Sequence, residues 1–190
     1  PSDTEIQIID NNSLSNCYIQ QITIPASLIR IGKEAFSKCM FLRNVEIPID
    51  SQLEIIDDSA FSGAHINSIF IPSHVKRIGI AAFQRSLLKE IKFSENSELQ
   101  IIDNMAFEYI KIERISIPSS VQRIGWLTFK DCSNLKEVTI PQNSELQIIE
   151  EKAFTDTKIE SFTIPSKLIE LKKGWCAKMP LLNDIFVDSN

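Results

Sequence analysis

Four cysteines and two histidines are the residues of this 190-residue chain that could support metal, redox or nucleophilic chemistry. Zinc sites take Cys and His ligands at short spacings such as Cys-x-x-Cys, and the sequence contains no such spacing. His65 and His74 have no cysteine or serine nucleophile that the sequence associates with them. We therefore expect both histidines to lie in solvated connections, outside any catalytic or metal site.

Carboxylates could supply general acid–base catalysis, and Asp and Glu together number 25. They recur at repeating positions, so a paired acid and base cannot be distinguished from a charged surface. The five glycines are scattered and form no phosphate-binding loop. The sequence thus indicates no enzyme, and we predict neither a cofactor nor a bound metal.

The overall charge restricts the class of partner. The formal net charge is -5, whereas binding to a nucleic-acid backbone or an anionic membrane surface requires a basic face. No apolar run approaches the roughly 20 residues that cross a bilayer. We expect no nucleic-acid partner and no membrane insertion of this segment.

An internal repeat supplies the elements that would position any functional residue. A short run of alternating apolar residues, usually ending in Pro, recurs eight times at spacings of 22 to 24 residues. The copies are residues 22–25, 45–48, 69–72, 91–94, 115–118, 138–141, 162–165 and 185–188. Fixed-period similarity of this kind is typical of a solenoid, in which neighbouring units must stack to bury their apolar faces.

Two further positions repeat in step with these runs. A Gly or an acidic residue follows an Ile, as at Gly125 and Asp103, and a Phe follows a few residues later, as at Phe129. Two repeat types alternate, so the full period is 46 to 47 residues. Alternation in the runs predicts short half-buried strands, and Pro118 should end its strand. Gly125, or its Asp counterpart in the other repeat type, suits a turn where positive φ or a side-chain-to-backbone hydrogen bond is tolerated. We expect Phe129 to enter the core from a short helical turn.

The repeat also reinterprets the cysteines. Cys17, Cys39 and Cys132 occupy equivalent positions, and Cys39 and Cys132 lie four repeats apart, on the order of 20 Å at one strand spacing per repeat. A disulfide needs Cα atoms within about 7 Å, so only Cys17 and Cys39, on adjacent repeats, could pair. We favour small buried thiols at all these positions, and Cys176, in a Phe position, as core.

The sequence resembles the BspA-like leucine-rich repeats, whose unit reads roughly LxxIxIPxSVxxIGxxAFxxC. Residues 135–141 carry the first half of that pattern, and residues 119–125 with Phe129 and Cys132 carry the second. The resemblance implies an α/β horseshoe with a parallel sheet of about eight short strands on the concave side. Short helical turns or irregular segments would form the convex side. The last repeat departs from the pattern, and Trp175 there is a candidate cap over the core.

The same resemblance implies a location on the surface of a host-associated bacterium or protist, and a role in adhesion through binding of host extracellular-matrix or surface proteins. We expect residues 1–190 to form a single solenoid domain. Because the chain begins at Pro1 and not at Met, we expect it to be a segment of a longer repeat array.

In such a horseshoe, the residues between the inward apolar positions would face a protein partner. Phe70 and Phe186 are candidate aromatic anchors, because aromatic residues dominate binding hot spots. Glu90, Lys92 and Arg114 form a mixed-charge patch. The complete predicted set is Asn44, Glu46, Phe70, Glu90, Lys92, Arg114, Ser116, Glu137, Thr139 and Phe186. The alternative function is a structural spacer or surface-coat element without a ligand of its own, whose oligomeric state the sequence leaves open.

Overall fold

The structure, a computed structural model, describes residues 5–188, and every regular element in that range is a β-strand. Each coil of the solenoid contributes two strands. The odd-numbered strands are β1 (Ile8–Ile9), β3 (Arg30–Ile31), β5 (Ile55–Ile56), β7 (Arg77–Ile78), β9 (Ile101–Ile102), β11 (Arg123–Ile124), β13 (Ile148–Ile149) and β15 (Glu170–Leu171). The even-numbered strands are β2 (Gln21–Thr23), β4 (Asn44–Glu46), β6 (Ser68–Ile71), β8 (Glu90–Phe93), β10 (Arg114–Ser116), β12 (Glu137–Thr139), β14 (Ser161–Ile164) and β16 (Asp184–Val187).

The odd-numbered strands form one continuous parallel sheet of eight strands in the order of the chain. In the third strand, for example, Ile56 pairs with Ile31 on one side and with Ile78 on the other. These three side chains point inward and are fully buried, while the preceding residues Arg30 and Arg77 are partly exposed. We call the outer surface of this sheet the ladder face.

The even-numbered strands are the eight strands that the sequence predicts, but they do not form a single sheet. They pair in parallel as β2 with β4, β6 with β8, β10 with β12, and β14 with β16. Within residues 5–188 no strand ladder joins one pair to the next. We call the outer surface of these strands the strand-pair face, and the gaps between successive pairs its junctions.

The prediction of short helical turns is wrong for residues 5–188, where the segments that carry the Phe residues are stacked turns. Each turn contains two residues with positive φ four positions apart, such as Glu34 (54°) and Lys38 (56°). A right-handed helix excludes such residues. Alternate amides bond to the next coil, as when Phe36 N–H donates to the Ala60 carbonyl at 2.7 Å. The amides between them close turns, as when Ser37 N–H donates to Glu34 at 3.1 Å. The backbone is thereby satisfied without a helix.

A column of stacked phenylalanines fills the interior, one from each of the six turns between the first and the last described turn. Successive ring centroids in the series Phe36, Phe61, Phe83, Phe107, Phe129 and Phe154 lie 5.0, 5.3, 5.5, 5.5 and 5.2 Å apart. The rings are nearly parallel and fully buried. In the last described coil Trp175 lies edge-on to Phe154 at 6.2 Å and 4.8 Å from Phe162, so it packs against the end of the phenylalanine column.

At the repeating Gly/Asp position the predicted positive φ is not adopted by Gly125, because among the five glycines only Gly63 and Gly174 have one. The predicted side-chain-to-backbone hydrogen bond does form at its counterparts, where the Asp57 and Asp103 carboxylates accept from the next backbone N–H. The repeating Gly is required by close approach between coils. A Cβ on Gly79 would lie 2.7 Å from the backbone of Asp57 and Asp58 in the preceding coil. There the Asp58 Oδ1 atom accepts a hydrogen bond from Ile80 N–H at 3.0 Å. Coils with Gly at this position therefore alternate with coils that carry Asp. The Asp58 side chain of one coil bonds to the backbone of the next, and Gly79 in that next coil leaves room for it.

All four cysteines are free thiols, in agreement with the interpretation as core residues. Cys39 and Cys132 are buried, and each thiol donates to a carbonyl of the preceding coil, Leu14 and Phe107 respectively, at 3.1 Å. Burial raises the pKa of the Cys132 thiol to about 12, which keeps the thiol protonated and unreactive. Cys17 and Cys176 are half-buried against the same core.

Candidate functional site

The strand-pair face carries all ten residues that the sequence selects for partner binding. Nine of them are exposed and Phe70 is half-buried. The residues from Asn44 to Thr139 lie on five consecutive strands, β4 to β12, and so share one continuous surface. Phe186 does not join that surface, because it lies on β16 at the end of the solenoid, beside Thr163.

Clefts open on this face at the junctions between strand pairs. A cleft of about 430 Å³ lies between β4 and β6, one of about 640 Å³ between β8 and β10, and one of about 330 Å³ between β12 and β14. Backbone pairing brings strands to about 4.8 Å from each other, so recesses develop where that pairing is lost. The interruptions of the sheet therefore create the concave features that a partner could enter.

The first of these clefts is the apolar cleft, lined chiefly by Val45, Ile47, Ile49, Ile69 and Phe70. The Phe70 ring also borders the 640 Å³ cleft, so it separates the two recesses. The Phe70 position is built by the pleat of β6, in which Ile69 and Ile71 point into the core and Phe70 points outward. An aromatic side chain between two recesses is the geometry of an interface anchor.

Ile49 is a member of the apolar cleft that the sequence reasoning misses. It lies in the connection after β4 and is 77% exposed, although it is a large aliphatic residue. The strand alternation gives no information about connections, so the pattern could not select it. Its position in the Ile47-Pro48-Ile49 stretch, one residue beyond the strand-ending Pro, is the only sequence signal for it.

Charged residues surround the apolar cleft. Lys92 and Glu90 form an ion pair at 3.1 Å along its margin, and both are largely exposed, so the pair adds little to stability. On the opposite margin the Glu46 carboxylate accepts hydrogen bonds from Thr23 at 3.0 Å and Asn44 at 3.3 Å. Arg114, the third member of the predicted mixed-charge patch, makes no ion pair within residues 5–188 and does not line this cleft.

The ladder face has a different electrostatic organisation. Arg77 bridges two coils through Asp58 at 2.9 Å and Asp103 at 2.9 Å, and Arg30 reaches Asp57 at 2.6 Å. Burial by itself raises the pKa of Asp57, but the hydrogen bonds from Arg30 and from the Asp58 N–H outweigh it and hold the pKa below its ordinary value. These guanidinium groups of the ladder face therefore already have carboxylate partners.

Residues 5–188 contain neither a metal-ligating cluster nor a membrane-spanning helix. No group of three or more His, Cys, Asp or Glu side chains in that range is arranged to hold a metal ion. The same residues include no helix of the length and hydropathy needed to cross a bilayer.

Similar solved structures are leucine-rich repeat proteins of bacteria. A leucine-rich repeat protein from Bacteroides ovatus is 26% identical with a TM-score of 0.73, and the match covers 94% of this chain and 52% of that one. A leucine-rich cell surface protein from Faecalibacterium prausnitzii is 24% identical with a TM-score of 0.63, covering 97% of this chain and 43% of that one. The pneumococcal vaccine antigen PcpA is 19% identical with a TM-score of 0.58, covering 100% and 56%. The chain thus spans about half the length of these relatives.

No curated protein sequence matches this chain. The family model that matches describes the BspA-type leucine-rich repeat region, over residues 7–125 and again over residues 54–183. Together the two matches include nearly the whole solenoid, from β1 to the last coil. With the repeat, the stacked coils and the solved neighbours in agreement, the chain belongs to the BspA-type leucine-rich repeat family.

Proposed function

We propose that this solenoid is a protein-binding module of adhesion type, which recognises its partner through the strand-pair face. The observation that carries the proposal is the apolar cleft at the β4–β6 junction, with Phe70 and Ile49 presented to solvent inside a rim of charged residues. An apolar centre with a polar rim is the usual anatomy of a protein interface. The predicted binding residues Asn44, Glu46, Glu90 and Lys92 border or adjoin that centre.

The rest of the predicted surface would contribute specificity more than affinity. The face continues along β10 and β12 with three exposed polar residues, Ser116, Glu137 and Thr139. Rim residues of this kind mainly exclude poorly matched partners and guide encounter. Truncation of one side chain should therefore have its largest effect on binding in the apolar cleft, at Phe70.

A binding screen tests the proposal. The chain would be immobilised and presented with a panel of extracellular-matrix and serum proteins, with binding recorded by biolayer interferometry. For any partner found, Phe70→Ala should weaken binding by about tenfold or more, because it removes a central aromatic anchor. Trp126→Ala is the matched control, since Trp126 is an exposed aromatic (39%) in the turn that follows the ladder strand β11.

The outcomes separate cleanly. A loss of binding with Phe70→Ala and none with Trp126→Ala supports the proposal. Equal affinity of wild type and Phe70→Ala for every partner in the panel refutes it.

The proposed location is the surface of a bacterial cell, supported by the family and by the cell surface protein among the solved relatives. Detection of the full-length protein by antibody on intact cells would test that location.

A further inference from the structure

A fourth recess on the strand-pair face differs in charge from the apolar cleft. It lies at the β8–β10 junction, on the side where these strands begin, and has a volume of about 560 Å³. We call it the cationic cleft. Its lining consists of Lys89, Glu90, Lys111, Glu113, Arg114 and Asn134.

The carboxylates of this cleft are already paired, and three of its cations are not. Glu90 is joined to Lys92 at 3.1 Å, and Glu113 lies 4.0 Å from Lys136. Lys89, Lys111 and Arg114 are exposed and form no ion pair in the described part of the chain. In a protein with a net charge of -5, this is a local concentration of unneutralised positive charge.

Main-chain hydrogen bonds hold the three cations at one edge of adjacent coils. Lys89 N–H donates to the Asn67 carbonyl at 2.8 Å, and Lys111 N–H donates to the Leu88 carbonyl at 2.8 Å. Arg114 is the first residue of β10. Because the backbone is fixed at these points, the three side chains converge without a cost in backbone entropy when a ligand binds.

The cationic cleft and the apolar cleft share a wall. Glu90 lines both recesses, so they lie side by side on the same face and one ligand can reach into both. A ligand that matches the pair must bring an apolar group to Phe70 and Ile49 and anionic groups to the three cations. Charge complementarity between such groups favours encounter and orientation.

We infer that the partner presents an acidic polypeptide segment, whose Asp or Glu side chains bind Lys89, Lys111 and Arg114 while a neighbouring aliphatic or aromatic side chain enters the apolar cleft. This inference rests on the proposed function and specifies the chemistry of the partner. A polypeptide is favoured over a sulfated glycan because the adjoining recess is lined by aliphatic and aromatic side chains, which contribute affinity only to an apolar group.

The test uses defined probes and the complete 190-residue chain. A fluorescent peptide with two leucines followed by a run of glutamates is titrated with protein, and binding is measured by fluorescence anisotropy at low and at high salt. Heparin, as a sulfated glycan, and a peptide with lysines in place of the glutamates serve as comparison probes. We expect the acidic peptide to bind most tightly and to lose affinity as salt rises.

Two triple variants locate the binding. Lys89→Gln with Lys111→Gln and Arg114→Gln should weaken binding of the acidic peptide by about tenfold, the expected sum of three exposed ion pairs. Lys38→Gln with Lys173→Gln and Lys178→Gln changes the net charge equally at exposed cations away from the strand-pair face. This matched control should bind the peptide like wild type, and the circular dichroism of both variants should equal that of wild type.

Each outcome decides the matter. The inference is supported if the Lys89, Lys111 and Arg114 triple variant loses peptide binding, the control triple variant keeps it, and Phe70→Ala binds the peptide more weakly than wild type. Equal losses in both triple variants, tighter binding of heparin, or no binding of the acidic peptide overturns it. If Phe70→Ala still loses a partner from the protein panel while the cationic variant keeps it, the acidic-segment inference fails and the proposed function stands. If neither variant affects any partner, the proposed function fails too.

Discussion

The ladder face and the strand-pair face are built by the same coils, yet only the ladder face is a continuous sheet. The distance along the chain from each ladder strand to the first left-handed residue of its turn is constant, as from Ile8 to Asn12, Arg30 to Glu34 and Glu170 to Gly174. The connections on either side of the even-numbered strands vary in length. From Gln21 to Arg30 is shorter than from Asn44 to Ile55, and this difference alternates along the chain.

This difference teaches how a repeat protein separates stability from recognition. A constant segment keeps successive coils in hydrogen-bonding register, which gives the ladder face its eight paired strands and the turns their stacked phenylalanines. The connections around the even strands vary in length, and on that face strand pairing occurs only within every second interval. Recesses and unpaired cations then collect on that face, as the apolar and cationic clefts show.

The largest expected effect is on the core that both faces share. Phe107→Ala should lower the free energy of unfolding by about 3–5 kcal/mol, because it leaves a cavity between Phe83 and Phe129 in the stacked column. Urea denaturation followed by circular dichroism measures this. Phe186→Ala removes the same number of atoms from an exposed position and should change stability by well under about 1 kcal/mol. Similar midpoints for the two variants would contradict the placement of the core.

The next effect separates the two kinds of glycine. Gly79→Ala should cost about 1–3 kcal/mol, since its Cβ would meet the Asp57–Asp58 backbone at 2.7 Å and force the ladder coils apart. Gly63→Ala meets nothing closer than 3.7 Å and should cost only about 1 kcal/mol, from its φ of 67°. Thermal melts of both variants test the order. A larger loss of stability from Gly63→Ala would show that the turn conformation, and not the close contact between coils, limits which residues the solenoid accepts.

A pH titration distinguishes the faces by their charges. The pKa values of Asp57 and Asp58 are held below the ordinary 3.8, although burial opposes this, by hydrogen bonds from Arg30, Arg77 and backbone N–H groups. A depressed pKa contributes stability that is complete above the unfolded-state value and is lost as the pH falls through the folded-state value. We therefore expect the urea midpoint to be steady near neutrality and to fall below about pH 4.

Arg77→Gln identifies how much of that acid sensitivity comes from the ladder. The variant removes the partner of Asp58 and Asp103, so its stability should be lower at neutral pH and should depend less on pH in the acidic range. Lys92→Gln, which removes an exposed pair on the other face, should leave the pH dependence unchanged. Identical acid profiles of wild type and Arg77→Gln would show that the ladder pairs do not stabilise the fold.

The smallest effect on stability should come from the proposed anchor. Phe70→Ala is expected to cost no more than about 1 kcal/mol, because the ring is half-buried and contributes little to the core. The same variant should strongly reduce partner binding. Phe70→Ala is thus expected to affect binding more than stability, whereas Phe107→Ala is expected to affect mainly stability. A large loss of stability from Phe70→Ala would mean that the strand-pair face is part of the folding core and would erase the contrast between the faces.

The sequence predicts much of this architecture because the repeat constrains it. The eight copies of the apolar run identify β2 to β16 of the even series, and the Phe position identifies the buried column. The equivalent placement of Cys39 and Cys132 predicts their burial. The resemblance to the BspA-like repeats is confirmed by the family match. These features depend on periodicity, which a single sequence displays directly.

The helical turns and the turn-forming role of Gly125 could not be judged correctly from the sequence. Residues such as Glu34 and Lys38 have no intrinsic preference for positive φ, and only hydrogen bonds to the next coil hold them there. The ladder strands are only two residues long, too short for alternation to be visible. Ile49 and Lys111 line the clefts from connections between strands. The path of such a connection depends on the neighbouring coils, so the sequence pattern does not place these residues.

The sequence by itself determined the repeat, the identity of its core residues and the outward positions of the even strands, because each follows from spacing along one chain. Only the tertiary structure decided which strands pair, where the pairing stops and which side chains meet in a cleft. Those outcomes depend on how far each coil is shifted against the next. Hydrogen bonds between coils fix that shift, and they join residues more than 20 positions apart.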